Sequence, residues 1–411
     1  MQSPQASQSN NAPISILTVS TLFPNEAQPS HGIFVESRLR KLVADGRVRA
    51  QVLAPVPWMP PFVKYGALTP LRKVAACTQR HGVAVAHPRY IVIPKVGMNI
   101  APFSLYLSMR ASLRQLMAAG AKIDLIDAHY FYPDGVAAVW LARDFNLPVV
   151  VTARGSDINL IPQYRFPRAL ILKAAKNAQA VITVCQALKD RLIEMGVDEQ
   201  EITVLRNGVD LELFRPRDRK VLRQKFGLST FTLASVGHLI ERKGHHHVIS
   251  ALTELPDATL LIVGDGPQRS ALETMADKLG VSHRVRFLGV LDQPELCDVY
   301  NCADATVLAS SREGWANVLL ESMACGTPVV ASAVWGTPEV VARPEAGRLM
   351  PSLDANGVIA ALTELRLAQP DRAGTRKYAE SFDWQSTTEG QIALFRKILS
   401  SPKWSQTRTP I

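Results

Sequence analysis

The sequence is poor in cysteine, and its few cysteines follow no pattern of a disulfide framework or a zinc site. The 411 residues include five cysteines, an odd number, and no two have C-x-x-C spacing. They stand at Cys77, Cys185, Cys297, Cys302 and Cys325. Disulfide frameworks and zinc sites both use cysteines in even or closely spaced sets. We therefore predict a protein of the reducing cytoplasm, without a metal site.

Long apolar segments are also missing. Even the stretch ALILKAAKNAQAVITVC, residues 169–185, is interrupted by two lysines and is not suited to cross a bilayer. Residues 1–12 have neither the basic segment nor the apolar core of a secretory leader. Their polar composition predicts a disordered tail.

The glycine fingerprint of dinucleotide-binding folds is absent as well. The first predicted strand, residues 14–20, is not followed by G-x-G-x-x-G, which disfavours an NAD-dependent dehydrogenase. The sequence Ser30-His31-Gly32 instead precedes an amphipathic helix. Gly32 is therefore either an ordinary turn residue or a place where the backbone can approach a phosphate closely.

What the chain does have is length for two domains and an uneven charge. The net charge is +10, and residues 1–206 hold 23 Lys and Arg against 13 Asp and Glu, so the remainder is neutral. An anionic partner is expected to bind the first half. Without a nucleic-acid motif, an anionic membrane surface or a phosphate-bearing acceptor is favoured. The predicted apolar helix within residues 94–120 carries Arg110 and Arg114, and both core packing and membrane contact stay open for it.

Polar side chains follow two predicted strands of the first half. His129 comes after the strand at residues 123–128, and Arg154, Ser156 and Asp157 come after the strand at residues 149–152. Loops after parallel strands build ligand sites in α/β sheets. A guanidinium cannot act as a base at neutral pH, so Arg154 is predicted to bind an anion or a hydroxyl and Asp157 to contact a sugar. His129 is either a site residue or a packed, hydrogen-bonded one.

Two cations precede a predicted helix in the second half. Gly237 ends a strand, and Arg242 and Lys243 stand just before a helix that begins near His245. Cations are unfavourable at a helix N-terminus unless an anion binds there, so the pattern indicates phosphate binding. The run 245–247 of three histidines is not read as a metal site, because adjacent helical residues point in different directions.

The segment 311–332, SREGWANVLLESMACGTPVVAS, predicts a loop, a helix and a buried strand. Asn317 is the expected N-cap of the helix and Gly326 the residue just past its end. Glu313 and Glu321 are then close to one helix end, where an anion can bind. The alternative is that these two carboxylates only complement the helix dipole.

This segment resembles the E-x7-E signature of retaining nucleotide-sugar glycosyltransferases of family 4. The resemblance implies an α/β fold with two Rossmann-like domains facing across a cleft, the GT-B fold. It implies an acceptor domain at residues 13–206, a nucleotide-sugar domain at residues 207–385, and a C-terminal helix at residues 386–411 that packs on the first domain. The forms TARGSD and FPNEAQPSHGIF further resemble teichuronic-acid and exopolysaccharide enzymes.

The resemblance also assigns roles to residues. Glu313, Asp157 and Arg154 are the expected catalytic residues, although Arg154 stands where many members have His. The acceptor is expected at His129, Tyr130, Arg154 and Asp157. The expected donor site consists of Gly32, Gly237, His238, Arg242, Lys243, Gly289, Gly314, Asn317, Val318, Leu319 and Glu321, with His238 in place of the usual Arg.

We therefore predict a retaining, metal-independent glycosyltransferase without a cofactor. Its donor is a UDP- or GDP-linked sugar, and its acceptor is a glycan or lipid-linked hydroxyl of cell-surface polysaccharide biosynthesis. It is expected in the cytoplasm, with peripheral contact to an anionic membrane and no nucleic-acid partner. The alternatives are a phosphorylase or hydrolase of the same fold and a non-enzymatic sugar- or lipid-binding protein.

Overall fold

A computed structural model describes residues 12–58, 69–93, 97–368 and 370–405, and the chain divides into two compact units. Unit 1 comprises residues 1–205 and 385–411, and unit 2 comprises residues 206–384. Both units alternate strands and helices, which confirms the predicted α/β class. The predicted disordered tail falls, but for its last residue, outside the described residues. No helix among the described residues is long and apolar enough to cross a membrane.

Unit 1 is built on a mostly parallel sheet. Its strands are β1 (Ile14–Val19), β2 (Val48–Leu53), β3 (Val56–Trp58), β4 (Cys77–Arg80), β5 (Val83–Ala86), β6 (Arg89–Ile91), β7 (Leu125–His129), β8 (Val149–Ala153), β9 (Ala180–Thr183) and β10 (Ile202–Val204). In the described residues the sheet order is β10-β9-β8-β7-β1-β2-β5-β4, and β3 pairs separately with β6. β4 is antiparallel to β5, and the other neighbours in the sheet are parallel.

Unit 2 contains a second parallel sheet. Its strands are β11 (Phe231–Val236), β12 (Ala258–Val263), β13 (Val285–Gly289), β14 (Ala305–Leu308), β15 (Val329–Ser332) and β16 (Gly347–Met350). Their order in the described part of the chain is β13-β12-β11-β14-β15-β16. Because the strands are parallel, the loops that leave their carboxyl ends meet at one edge of the sheet.

Helices cover both sheets. They are α1 (Ile33–Ala44), α2 (Gly97–Ala118), α3 (Val136–Asp144), α4 (Ser156–Asn159), α5 (Arg165–Asn177), α6 (Gln186–Glu194), α7 (Arg219–Lys225), α8 (His245–Ala251), α9 (Arg269–Lys278), α10 (Gln293–Cys302), α11 (Asn317–Ala324), α12 (Thr337–Val340), α13 (Ala355–Ala368), α14 (Arg372–Glu380), α15 (Trp384–Leu399) and α16 (Pro402–Ser405). The central strands β7, β8 and β9 are buried along their whole length, as parallel strands covered on both faces are.

The last long helix contributes to the core of unit 1. Ile392, Phe395 and Ile398 on α15 are buried in one apolar cluster with Val35 and Leu39 on α1. These residues recur at helical spacing, so each helix presents an apolar stripe to the sheet. The C-terminal segment is therefore part of the first unit, although it follows the second in the chain.

The predicted N-cap of α11 is wrong. The helix begins at Asn317 itself, its N-cap position is Ala316, and no side chain caps it. The amide oxygen of Asn317 instead accepts a hydrogen bond from Asn207 Nδ2, at 3.3 Å. The predicted helix end is confirmed, since Gly326 follows the C-cap with a φ of 79°.

Candidate active site

Two loops at the carboxyl edge of the unit 2 sheet are joined by an ion pair. Lys243 lies in a short 3-10 turn after β11, and Glu313 lies in the loop after β14. Lys243 Nζ donates to Glu313 Oε1 at 2.7 Å, and the two side chains are only 16% and 9% exposed. The strands β11 and β14 are neighbours, so the sheet brings these loops together. A lysine and a carboxylate are thus held side by side where α/β sheets bind ligands.

The same loops are fastened by backbone contacts. Arg242 Nη1 donates to Arg312 O at 3.0 Å, and Ser311 N donates to Arg242 O at 2.9 Å. Gly244 has a φ of 69°, and a Cβ there would lie 1.8 Å from Ala309 O. No other residue type fits that position, because both the left-handed conformation and the close approach exclude a side chain. Glycine therefore allows the Lys243 turn to lie directly on the end of β14.

Gly237 brings the end of β11 against the Lys243 side chain. A Cβ at Gly237 would lie 3.4 Å from Lys243 Cδ, so the aliphatic part of the lysine passes over this glycine. His238 follows in an exposed turn, and its backbone oxygen accepts from Ile240 N at 2.8 Å. Gly289 ends β13 at the same edge, two strands from β11.

The second carboxylate of the E-x7-E segment is bound by a tyrosine. Tyr300 Oη on α10 donates to Glu321 Oε2 on α11 at 3.0 Å. Burial raises the pKa of Glu321 to about 7, so near neutral pH this carboxyl exists in both its ionised and its protonated form. Tyr300 is a site residue that the sequence analysis did not identify. It could have been found from the sequence because its hydroxyl lies among the buried residues of α10 and needs a hydrogen-bond partner.

The remaining donor-site predictions lie around the start of α11. Gly314 precedes Trp315, whose Nε1 donates to Asn207 O at 3.1 Å, so the loop is bound to the first residues of unit 2. Val318 is partly exposed, whereas Leu319 is fully buried. Leu319 can therefore contact a ligand only through its backbone.

In unit 1, Asp157 lies in the segment after β8, as predicted, and its carboxylate is bound by the backbone. Its carboxylate is fully buried and accepts backbone N–H bonds from Phe131 at 2.6 Å, Gly155 at 2.7 Å and Arg154 at 3.1 Å. Burial raises the pKa of Asp157, and these N–H groups act against that shift. Asp157 therefore stabilises the loop after β8, and its predicted contact with a sugar stays a prediction.

Arg154 and His129 are in direct contact. Arg154 Nη2 donates to His129 Nδ1 at 2.7 Å, and the guanidinium lies 5.4 Å from the centre of the Phe34 ring. Burial lowers the pKa of Arg154 to about 9, so the side chain remains charged at neutral pH. His129 is 1% exposed and takes part in a buried network. Tyr130 has a φ of 79°, and its hydroxyl shares a hydrogen bond of 2.9 Å with Ser156 Oγ.

Gly32 serves chain packing in unit 1. It has a φ of 67°, and a Cβ there would lie 2.2 Å from the carbonyl carbon of Leu22. The interpretation of Gly32 as a turn residue therefore has a structural reason, because glycine allows close contact with the segment after β1. Its predicted contact with a donor phosphate stays a prediction.

No group of three or more His, Cys, Asp or Glu side chains suited to a metal ion occurs in the part of the chain that the structure describes. In the histidine run, His245 is buried and its Nδ1 lies 2.8 Å from Ser235 Oγ. Metal-independent catalysis stays a prediction.

Comparison with known proteins places this geometry in a family. The family model described as "Glycosyl transferases group 1" matches residues 218–382, and the one described as "Glycosyltransferase Family 4" matches residues 72–213. A D-inositol 3-phosphate glycosyltransferase of Mycolicibacterium smegmatis is 30% identical over 298 residues, which cover 67% of this chain and 68% of that relative. The chain belongs to glycosyltransferase family 4. The family that the sequence indicated is thus confirmed.

A further relative and two solved structures are also similar to this chain. The D-inositol 3-phosphate glycosyltransferase of Mycobacterium marinum is 29% identical over 67% of this chain, and the match spans 64% of that relative, slightly less than two thirds of its length. Sucrose-phosphate synthase of Thermosynechococcus elongatus has a TM-score of 0.77 at 20% identity, covering 94% of this chain and 99% of its own. The HepE protein of Anabaena, solved with UDP-glucose, has a TM-score of 0.72 at 22% identity, covering 93% and 100%.

The structural similarities confirm the predicted GT-B fold of two Rossmann-like domains. The resemblance to teichuronic-acid and exopolysaccharide enzymes stays a prediction. In unit 2, Lys243 of the predicted donor site contacts Gly237 and the predicted catalytic residue Glu313. Arg242 binds the backbone oxygen of Arg312, the residue before Glu313. Glu321 is bound separately, by Tyr300.

Proposed function

We propose that this family 4 protein is a retaining glycosyltransferase that moves a sugar from a nucleotide diphosphate sugar to an acceptor hydroxyl. The main support is the ion pair between Lys243 and Glu313. It holds a cation and a carboxylate 2.7 Å apart at the carboxyl edge of the unit 2 sheet, where α/β folds bind ligands. Lys243 and Arg242 bind the diphosphate, Glu313 orients the donor sugar, and Glu321 accepts hydrogen bonds from the ribose hydroxyls.

Retention is proposed to occur by attack on the face from which the diphosphate leaves. The acceptor oxygen forms a bond to the anomeric carbon as the bond from that carbon to the phosphate oxygen breaks. The leaving phosphate takes the acceptor proton, and the cations stabilise its developing charge. A covalent route needs a carboxylate nucleophile. Asp157 is unsuited to that role, since backbone N–H groups bind its carboxylate.

The donor and acceptor are proposed by chemical class. The Anabaena neighbour was solved with UDP-glucose, which supports a UDP-linked sugar as the donor here, and a GDP-linked sugar is the alternative. The relatives act on D-inositol 3-phosphate, and together with the basic first half this supports an acceptor with a phosphate near its hydroxyl. A phosphate-bearing glycan or lipid-linked acceptor of cell-surface polysaccharide synthesis fits both observations.

Nucleotide binding is the first test of the proposal. In the presence of a chelator, UDP or GDP is expected to stabilise the protein by about 2.7 kcal/mol at 100 times its dissociation constant. Differential scanning fluorimetry with UDP, GDP and ADP measures this shift. The stabilisation is expected to increase as pH rises through 7, since the pKa of Glu321 is about 7 and its ionised form accepts both ribose hydroxyls.

The control for that titration is Glu321→Gln, which cannot ionise. It should retain only the pH dependence that belongs to the nucleotide phosphates. Absence of stabilisation by all three diphosphates would contradict a nucleotide-sugar donor and favour the binding-protein alternative. Product formed only with water or inorganic phosphate as acceptor would favour the hydrolase or phosphorylase alternative.

We also propose that unit 1 contacts an anionic membrane at the cytoplasmic face. One stripe of α2 is buried, at Pro102, Leu105, Met109 and Leu113. The opposite stripe exposes Phe103 to 55% and Leu107 to 48%, and it continues through Arg110 and Arg114. On α5, which packs against α2, Phe166 is 53% exposed. Core packing therefore accounts for one side of α2, and the exposed apolar side chains on the other side support the membrane alternative.

Charge favours lipid over protein as the partner of this surface. The sequence has no Asp or Glu between Asp45 and Asp124, and none between Asp157 and Asp190. Both α2 and α5 lie within these intervals. Arg110 of α2 pairs with Asp144 of α3 at 2.6 Å, and the other arginines and lysines of the two helices add positive charge near the exposed aromatic side chains. Basic helices with aromatic residues bind anionic bilayer surfaces through electrostatic attraction and shallow insertion.

The double variant F103S/L107S is expected to weaken binding to phosphatidylglycerol vesicles about tenfold or more, because two exposed apolar side chains are lost from the inserted face. Co-sedimentation measures the effect. Leu367→Ser is the matched control, since Leu367 is 81% exposed on α13 of unit 2. Equal binding of the wild type and both variants to phosphatidylglycerol vesicles would contradict the proposed surface. So would wild-type binding to neutral phosphatidylcholine that is as strong as binding to phosphatidylglycerol.

A further inference from the structure

A chain of buried polar groups in unit 1 has no part in the mechanism above. Asp127 and His129 point to the same side of β7, two residues apart, and both are 1% exposed. Asp127 Oδ2 accepts from His129 Nε2 at 3.1 Å, and His129 Nδ1 accepts from Arg154 Nη2 at 2.7 Å. The imidazole thus connects a buried carboxylate to the arginine in the loop after β8.

Two helices complete this chain. Gln391 on α15 donates its Nε2 to Asp127 Oδ2 at 3.1 Å, and its Oε1 accepts from Arg38 Nε on α1 at 2.8 Å. Arg38 Nη1 also donates to Leu205 O at 3.0 Å. The network therefore draws on α1, β7 and α15 before it reaches Arg154.

These contacts determine the state of His129. Arginine has only donors, so the nitrogen that faces Arg154 must carry a lone pair, and the other must carry the proton that goes to Asp127. Burial lowers the pKa of His129 to about 4, in agreement with a neutral ring at neutral pH. A neutral ring with this tautomer is the one form that can accept from Arg154 while donating to Asp127.

A purely structural role is the simplest alternative, because buried polar networks often only specify a core. The end of this network argues for more. The network leads to the Arg154 guanidinium in the loop after β8, at the carboxyl edge of the sheet, where ligands bind and where this residue keeps 8% exposure. A long arginine side chain that is to bind an anion loses less entropy when its position is already fixed.

We propose that Asp127 is a positioning residue, which acts through His129 to hold the Arg154 guanidinium for the anionic group of the acceptor. This inference rests on the proposed function, since it concerns the acceptor of the same reaction. Gln391 orients Asp127 in turn. The C-terminal helix α15 thereby contributes to acceptor binding without contacting the acceptor.

The test compares acceptor kinetics of Asp127→Asn with those of Asp124→Asn. An Asn at position 127 can donate to His129 and favour the other tautomer, which turns an N–H toward Arg154. Misplacement of a binding group by about 1 Å can cost about 100-fold. We expect the acceptor KM to rise tenfold to 100-fold, with kcat and the donor KM nearly unchanged. The two acceptors are an analogue that carries a phosphate ester and its dephosphorylated form. Asp127→Asn should weaken binding of the phosphorylated analogue only.

Asp124→Asn is the matched control because Asp124 precedes the same strand and its Oδ2 accepts from Ser15 N at 2.8 Å. A variant that only loses folded protein has a lower apparent kcat and an unchanged KM. We expect this result for Asp124→Asn. If Asp127→Asn does not fold, Gln391→Met tests the same chain from α15 and should raise the acceptor KM by a smaller factor. Equal KM values for the control and both network variants would overturn the inference.

A spectroscopic readout separates this inference from the proposed reaction. With histidine labelled by ¹⁵N, His129 should remain a neutral imidazole protonated at Nε2 down to about pH 5, and the tautomer should change in Asp127→Asn. Finding the Nδ1–H form in the wild type would overturn the inference even if transfer activity is present. Failure of all diphosphates to stabilise the protein would instead contradict the proposed function, while the tautomer result would stand.

Discussion

Glu313→Gln is expected to lower kcat for sugar transfer by about 10²- to 10³-fold, the effect typical of removing one group that stabilises charge in a transition state. Glutamine has nearly the shape of glutamate and can still accept a hydrogen bond from Lys243, so the loop should keep its conformation. Affinity for the nucleotide diphosphate should stay the same or increase, because Lys243 no longer has a competing carboxylate. Release of the diphosphate from the sugar donor measures kcat, and calorimetry measures affinity.

Glu241→Gln is the matched control for this prediction. Glu241 begins the same 3-10 turn that contains Lys243, but its side chain is exposed. Removing its charge tests whether any carboxylate near the cations matters, and kcat should stay within about twofold of the wild type, as for most exposed substitutions. A Glu313→Gln enzyme with full activity would exclude Glu313 from the reaction and leave the ion pair as a structural feature.

The fold could be predicted to a large extent because its signals are local. Apolar runs bounded by glycine or polar residues located the strands, so the predicted strand at residues 149–152 differs from β8 by one residue. Gly326 was correctly predicted just past the end of α11, where it has a φ of 79°. The predicted N-cap was wrong because the Asn317 side chain binds Asn207, 110 residues away, and such a partner cannot be read from local sequence.

For the site, the sequence predicted single residues but not the contacts between them. Lys243 and Glu313 were each assigned to the donor, but their direct contact joins positions 70 residues apart and depends on β11 and β14 being neighbours. The polar network was missed for the same reason, since Gln391 and Asp127 are separated by 264 residues. Asp127 did carry a signal, because a charged residue within a strand as buried as β7 requires a partner. For Asp157 the contact with a sugar stays a prediction, and its bonds to backbone N–H groups of Phe131, Arg154 and Gly155 could not be foreseen from the sequence.

Lys243→Met is expected to have two separable effects. It should reduce affinity for the nucleotide diphosphate about 100-fold, since a nearly buried charge-assisted contact to phosphate is lost. It should also lower the free energy of unfolding by about 2 kcal/mol, because Glu313 keeps its charge in a buried place without a partner. This value is below the figure for a fully buried pair, since the two side chains retain 16% and 9% exposure.

The double variant K243M/E313Q distinguishes these effects. With the unpaired carboxylate removed, the free energy of unfolding should return to within about 1 kcal/mol of the wild type, as neutral replacement of a buried ion pair often allows. Transfer activity should stay at least as low as in Lys243→Met, because neither the cation nor the carboxylate is restored. Urea unfolding of the four proteins and diphosphate release by each complete the cycle. Recovery of activity together with stability would contradict the proposed roles, since the pair would then serve only to hold two loops together.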